Sequence, residues 1–85
     1  MPYFVYILRS ESTDAYYIGQ TNDLEQRLNK HNLGLVRSTK AARPWVRIWC
    51  EAHPTRSLAM KREREIKRWK SRIMIERLID RKGVF

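Results

Sequence analysis

Apolar positions recur with two different periods along the chain. Tyr3 to Arg9 and Ala15 to Gln20 are short aromatic and β-branched runs, separated by the turn-forming Ser10-Glu11-Ser12-Thr13-Asp14. Such runs favour strands and such separators favour turns, so the pair predicts an antiparallel hairpin. The first run is apolar on both alternating faces, which predicts a strand central in its sheet. From Asn22 the spacing becomes helical, with Leu24 and Leu28 on one side, an end near Asn32 and Gly34 just beyond. Asn22 is the expected N-cap, with Glu25 in the capping-box position. Leu35 to Arg43 reads as a basic loop. Pro44 then opens a third strand, Trp45 to Glu51, in which Val46, Ile48 and Cys50 alternate against Arg47, Trp49 and Glu51. Thr55 or Ser57 caps a second helix reaching about Trp69, with Leu58, Ala59, Ile66 and Trp69 as its apolar stripe. Ser71 caps a last short helix that offers Ile73, Met74, Leu78 and Ile79 for packing. The order β-β-α-β-α-α predicts an α+β fold, one domain over residues 1–85, with a three-stranded antiparallel sheet flanked by helices.

Composition adds a partner to this outline. Eighty-five residues lie at the small end for an independent domain, and three Trp, four Tyr and two Phe supply its core. Eighteen Lys and Arg stand against nine Asp and Glu, a net charge of +9. That excess favours an anionic partner: nucleic acid first, an anionic membrane surface second, a structural RNA role third. No segment identifies a protein partner. Cys50 is the single cysteine, which excludes an intrachain disulfide and fits a reducing, cytoplasmic setting. No basic segment leads into a long apolar run at the N-terminus, and no stretch approaches the roughly 20 apolar residues that span a bilayer, so neither a signal peptide nor a membrane span is expected.

The candidate chemistry gathers between Tyr6 and His31. Arg27 and His31 stand one helical turn apart, on the side that carries Leu24 and Leu28 and should face the protein. An inward arginine needs a counter-group, because an unpaired buried charge is costly, and a bound phosphate would be one. By residue type and spacing alone the commoner outcome is structural, with Arg27 paired to an acid such as Glu51 and His31 filling a core edge. Tyr6 and Tyr17 could hold or deprotonate a water. With an ordinary pKa of about 10, a tyrosine does so near neutral pH only beside cations, and ordinary strand aromatics are again the commoner outcome. Glu63 and Glu65 are the only acids in the basic second helix and flank its stripe, each able to be a metal ligand or an ion-pair partner, Glu63 with Lys67 or Glu65 with Arg68. Arg62 falls within the stripe with no evident reason.

Several chemistries are excluded. Nine scattered acids do not form the carboxylate nest of a two-metal phosphodiesterase, so one Mg²⁺ is the most they support. Cys50, His31 and His53 have no zinc-ligand spacing. No Gly-rich phosphate loop is present.

At these residues the chain resembles the GIY-YIG nuclease superfamily, particularly its small stand-alone bacterial members. Tyr17-Ile18-Gly19 carries the second motif, and Phe4-Val5-Tyr6 stands where the first would be, with ten residues between Tyr6 and Tyr17. Thr21-Asn22-Asp23-Leu24, Arg27 and His31 resemble the family's first helix. Arg43-Pro44 and the set Ala59, Glu63, Ile66-Lys67 and Trp69 continue the likeness over nearly the whole chain.

The resemblance implies metal-dependent hydrolysis of a nucleic-acid phosphodiester, with one Mg²⁺ or Mn²⁺ ion. Tyr6 matches the general base or water-positioning tyrosine, Tyr17 the second motif tyrosine and Gly19 a glycine of close backbone approach. Arg27 matches the phosphate-stabilising arginine, His31 a position that assists proton transfer, and Glu63 the metal-binding glutamate, which chooses it over Glu65. Two departures stand out: the Gly-Ile of the first motif is replaced, and the asparagine that larger members carry beyond the second helix has no counterpart, Lys70, Ser71 and Arg72 occupying that region. Arg37, Lys40 and Arg43 in the loop, with Gly19 and with Arg64, Lys67 and Arg68 on the second helix, form the expected nucleic-acid surface. The expectation is an endonuclease acting on DNA with weak sequence specificity, as in repair or recombination. The alternative is a non-catalytic nucleic-acid-binding module that keeps the fold.

Overall fold

The computed structural model describes residues 2–81. The elements follow in the order β1 (Tyr3–Ser10), β2 (Tyr16–Thr21), α1 (Leu24–Asn32), a short 3-10 turn at Lys40–Ala42, β3 (Trp45–His53), α2 (Arg56–Trp69) and α3 (Arg72–Asp80). The strands form one antiparallel sheet in the order β2-β1-β3, so the strand that is apolar on both faces is central, as its pattern predicts.

Successive side chains of a strand point to opposite faces, and β1 sorts the molecule accordingly. Val5 and Ile7 join Ile18, Trp49, Ala59, Ile66 and Ile75 in one apolar cluster under α2 and α3. Tyr6 and Leu8 join Trp45 and Cys50 on the other face, where Leu24 and Leu28 of α1 pack. The third strand departs from its expected alternation. Ile7 pairs with Trp49 but Leu8 pairs with Arg47, so Ile48 is the extra residue of a bulge. The bulge lets Trp45 and Trp49, which strict alternation would put on one face, be buried on opposite faces.

Several local expectations are corrected. The N-cap of α1 is Asp23 rather than Asn22: its side chain accepts the Gln26 N–H at 3.0 Å, while Thr21 braces the turn before it. Leu58 is exposed, because Ala59 and Ile66 alone are fully buried on α2. On α3, Ile75 enters the core while Ile73 and Met74 face outward. Thr55 and Ser71 cap α2 and α3 as expected. Arg62 also receives its explanation. It bonds Glu51 at 3.0 Å, contacts Glu65 and lies over the Trp69 ring, so an arginine inside an apolar stripe is matched by an acid reaching across from β3.

Candidate active site

The site begins with a register and a helical turn. Tyr6 on β1 lies opposite Gly19 on β2, on the face covered by α1. Gly19 has no side chain for a specific reason: a Cβ there would come within 2.5 Å of the Tyr6 hydroxyl oxygen. The ring therefore lies flat along β2 and brings its hydroxyl to the inner side of α1. Asp23 fixes where α1 starts, so Arg27 and His31, four residues apart, reach that hydroxyl together.

The His31 Nε2 lies 3.0 Å from the Tyr6 hydroxyl, and the Arg27 Nε donates to the same oxygen at 3.4 Å. On its far side the His31 Nδ1 lies 2.7 Å from the Thr39 hydroxyl, which in turn donates to the Val36 carbonyl at 3.3 Å. Tyr17 closes the group: its ring meets the His31 ring edge-on at 4.8 Å and stands 6.3 Å from that of Tyr6. Arg27 does not pair with Glu51, whose carboxylate is taken by Arg62 and His53. The bland reading of the inward arginine, an ion pair with a nearby acid, is thus not what the fold uses.

Burial sets the electrostatics. The His31 side chain is fully enclosed and its pKa is lowered to about 4, first by desolvation and then by the Arg27 charge, so the imidazole is neutral at physiological pH. Burial pushes the Tyr6 phenol up to about 12, and the hydrogen bond from Arg27 only partly offsets it. A neutral phenol beside a neutral imidazole is the resulting ground state. Arg27 is raised above its ordinary value, chiefly by its hydrogen bond to Tyr6, and stays charged.

Glu63 comes from the opposite layer. It lies one turn from both Ala59 and Ile66 along α2, which places it on the inward stripe, and its carboxylate is among the charges that raise Tyr6. Its partner is Lys67 at 2.6 Å. Glu65 instead contacts Arg62 and is about half exposed, so the two acids that sequence periodicity could not separate are distinct in space. The basic residues divide. Arg37, Lys40 and Arg43 lie exposed on the loop directly after α1, with the Arg43 Nε donating to the Lys40 carbonyl at 2.8 Å. Arg64, Lys67 and Arg68 lie exposed on α2, across the sheet from α1.

Three functional supports escaped the sequence reading. Thr39 is one. The others are Asn32 and Trp45: the Asn32 amide accepts the Trp45 N–H at 2.6 Å and donates to its carbonyl at 3.0 Å, closing the base of the loop that carries Thr39. The Trp45 indole N–H then donates to the Thr39 carbonyl at 2.9 Å. A polar residue amid loop charges gives no periodic signal, so none of this was visible in the pattern.

This constellation has relatives. The GIY-YIG catalytic domain model matches residues 2–77. The chain belongs to the GIY-YIG family. Within it, two proteins named UPF0213 from Staphylococcus aureus strains Mu3 and Mu50 are each 41% identical over 66 residues, covering 76% of this chain and 79% of theirs. The solution structure of the UPF0213 protein BH0048 from Bacillus halodurans superposes with a TM-score of 0.62 at 33% identity, covering 98% of this chain and 87% of that one. GIY-YIG membership carries nuclease-type activity and a nucleic-acid substrate as the family's general chemistry, and its nucleases generally use divalent metal ions. Among the described residues, no helix is long and apolar enough to cross a membrane.

The donor set can be tested against such an ion. Among the described residues no group of three or more His, Cys, Asp and Glu converges, so no all-protein cage exists. Glu63 alone, with its side chain 20% exposed and its charge felt at Tyr6, suits a hard ion that keeps most of its waters and takes further ligands from phosphate. The residues fit a hard divalent cation in that mode.

Proposed function

We propose that this GIY-YIG domain is a divalent-metal-dependent endonuclease acting on DNA backbones with weak sequence specificity, in the manner of repair or recombination enzymes. The observation that carries the reading is the buried chain Arg27–Tyr6–His31, which ends at a neutral nitrogen able to accept a proton. As water attacks phosphorus, its proton passes to the Tyr6 oxygen while the Tyr6 hydroxyl proton passes to His31 Nε2. The phenol thus relays a proton without ever becoming a free phenolate, which its raised pKa disfavours. Arg27, only half-buried, stabilises the charge that develops on the phosphate, and in doing so relieves its repulsion of a protonated His31. Tyr17 holds the imidazole edge and lines the approach. Glu63 would hold the Mg²⁺ or Mn²⁺ ion, which supplies Lewis-acid charge at the phosphate, and Lys67 would then be freed for a phosphate oxygen.

Arg37, Lys40, Arg43, Arg64, Lys67 and Arg68 grip phosphates, and Gly19 keeps the backbone flat beneath the Tyr6 ring. Contacts of this kind predict affinity that falls steeply with salt and reads little sequence.

The test is cleavage of linear duplex, flap, junction and single-stranded DNA, and of RNA, with Mg²⁺ or Mn²⁺ against EDTA, for wild type and Glu63→Gln. The expected outcome is metal-dependent cutting of DNA that drops by roughly a thousandfold or more in Glu63→Gln, several kcal/mol of barrier, while binding persists. Salt-sensitive binding with no cutting on any substrate would establish the binding module instead.

A further inference from the structure

Thr39 is out of place by composition and exact in position by structure. It sits in the basic loop between exposed neighbours, Arg37 and Ser38 on one side and Lys40 and Ala41 on the other, yet is only 1% exposed itself. Its backbone is held on both sides. The amide donates to the Val36 carbonyl at 3.1 Å, and the carbonyl accepts from the Ala42 N–H at 3.2 Å and the Trp45 indole at 2.9 Å. What this anchoring presents to the interior is one hydroxyl, 2.7 Å from His31 Nδ1.

The hydrogen-bond directions along this chain are constrained. Arg27 is a donor only, so the Tyr6 oxygen accepts from it and the Tyr6 proton must go elsewhere. Among the described residues the one remaining partner is His31 Nε2, which must therefore carry a lone pair. A neutral imidazole then bears its proton on Nδ1, and the Thr39 oxygen accepts it while sending its own proton to the Val36 carbonyl. The opposite tautomer would set Nε2–H against an oxygen already facing Arg27 and would leave the Tyr6 proton with no acceptor in a buried site, a costly arrangement.

We propose that Thr39 is a positioning residue of the site: its hydroxyl fixes His31 in the Nδ1–H tautomer and so presents the bare Nε2 to the Tyr6 hydroxyl. It plays the part that a group behind a functional histidine commonly plays, setting tautomer and ring orientation by holding the other nitrogen. The kinetic consequence rests on the nuclease reading above. The tautomer itself does not.

The experiment joins ring-nitrogen NMR to single-turnover cleavage in the full chain, for wild type, Thr39→Val and Thr39→Ser, with the His31 signals assigned by comparison with His53→Gln. Valine keeps the shape and removes the acceptor; serine restores it. In wild type and Thr39→Ser, His31 is expected to show a protonated Nδ1 and an unprotonated Nε2. In Thr39→Val that preference is lost, and the cleavage step slows about 10- to 100-fold with substrate affinity unchanged, comparable to losing the partner behind a metal-ligating histidine. A wild-type His31 carrying its proton on Nε2 overturns the proposal, whether or not Thr39→Val folds. So does a Thr39→Ser variant that behaves like a folded Thr39→Val. Should the wild type cleave nothing, the nuclease reading fails separately, and the ring-nitrogen signals of the three proteins still decide what Thr39 does.

Discussion

The two faces of the sheet are equally buried and differ in kind. Under α2 and α3, Val5, Ile7, Trp49, Ala59 and Ile66 are closed off by apolar contact. Under α1, Tyr6, His31 and Thr39 are closed off just as completely, at 2%, 0% and 1% exposure, but by hydrogen bonds in series. Apolar burial stabilises in proportion to area, whereas a buried polar group costs free energy unless its partners are in place. The α1 face therefore depends on geometry and the other face on volume. One strand serves both because its side chains alternate, with Val5 and Ile7 for cohesion and Tyr6 and Leu8 for the site. The division also runs along the chain. The hydrogen-bonded members of the chemical face, from Tyr6 to Trp45, all precede α2, whereas α2 and α3 cover the apolar face, with Glu63 as the α2 acid whose charge is felt at Tyr6.

Neighbouring substitutions on β1 should separate the two faces most sharply. Tyr6→Phe removes one oxygen from the relay, and cleavage is expected to fall about 10²- to 10⁴-fold, the range of a lost acid–base group. Ile7→Ala should leave cleavage per folded molecule within a few-fold while lowering unfolding free energy by about 2–5 kcal/mol, the range for truncating a buried isoleucine. Urea unfolding and single-turnover rates on both proteins check the pair. Equal losses of rate in the two would mean that the faces are not independent.

Much of this is legible in the sequence. The hairpin, the central first strand and the helical register that sets Arg27 and His31 on the inner side of α1 all follow from period and residue type, because each is dictated locally. The features missed are those decided by distant chain segments. The bulge at Ile48 lets two large residues of β3 enter opposite cores, and that need is invisible within the strand itself. Arg62 makes sense within an apolar stripe only because Glu51 reaches it from β3. Thr39 carried no signal because its partner lies in another element and its neighbours are solvent-facing charges. Asp23 displaced Asn22 as the cap by one residue, a difference that turns on which side chain reaches the Gln26 N–H.

The polar face should also announce itself through pH. An unfolded His31 takes up a proton near its ordinary 6.5, whereas in the folded protein burial and then Arg27 hold that step down to about 4. Between these values the unfolded chain binds more protons, so the His31 contribution to stability is present in full above about pH 6.5 and is lost as pH falls towards 4. Its size is on the order of 3 kcal/mol. Urea unfolding from neutral pH down to about pH 4 should show a steeper loss for wild type than for His31→Gln, whose remaining groups are the same. Parallel curves would show that the imidazole is not held neutral by the fold. The apolar face has no comparable titration, so Ile7→Ala should shift the whole curve without changing its slope.

The smallest effect expected is at Gly19, where the two faces meet across β2. Ile18 points into the apolar cluster and Gly19 lies beneath Tyr6. A methyl at Gly19 would stand 2.5 Å from the Tyr6 oxygen and 2.6 Å from the ring carbon that bears it, so the ring must lift. Overpacking of this kind costs about 1–3 kcal/mol, which unfolding would report. The more telling quantity is how the loss combines with that of Tyr6→Phe. Lifting the ring draws the hydroxyl away from His31 Nε2, so Gly19→Ala should slow cleavage in the wild-type background. In the Tyr6→Phe background, where the hydroxyl is already gone, it should add little. Fold-losses that simply multiply in the double variant would mean that Gly19 acts on the reaction by some route other than Tyr6, with direct approach of substrate to the strand as the first to examine.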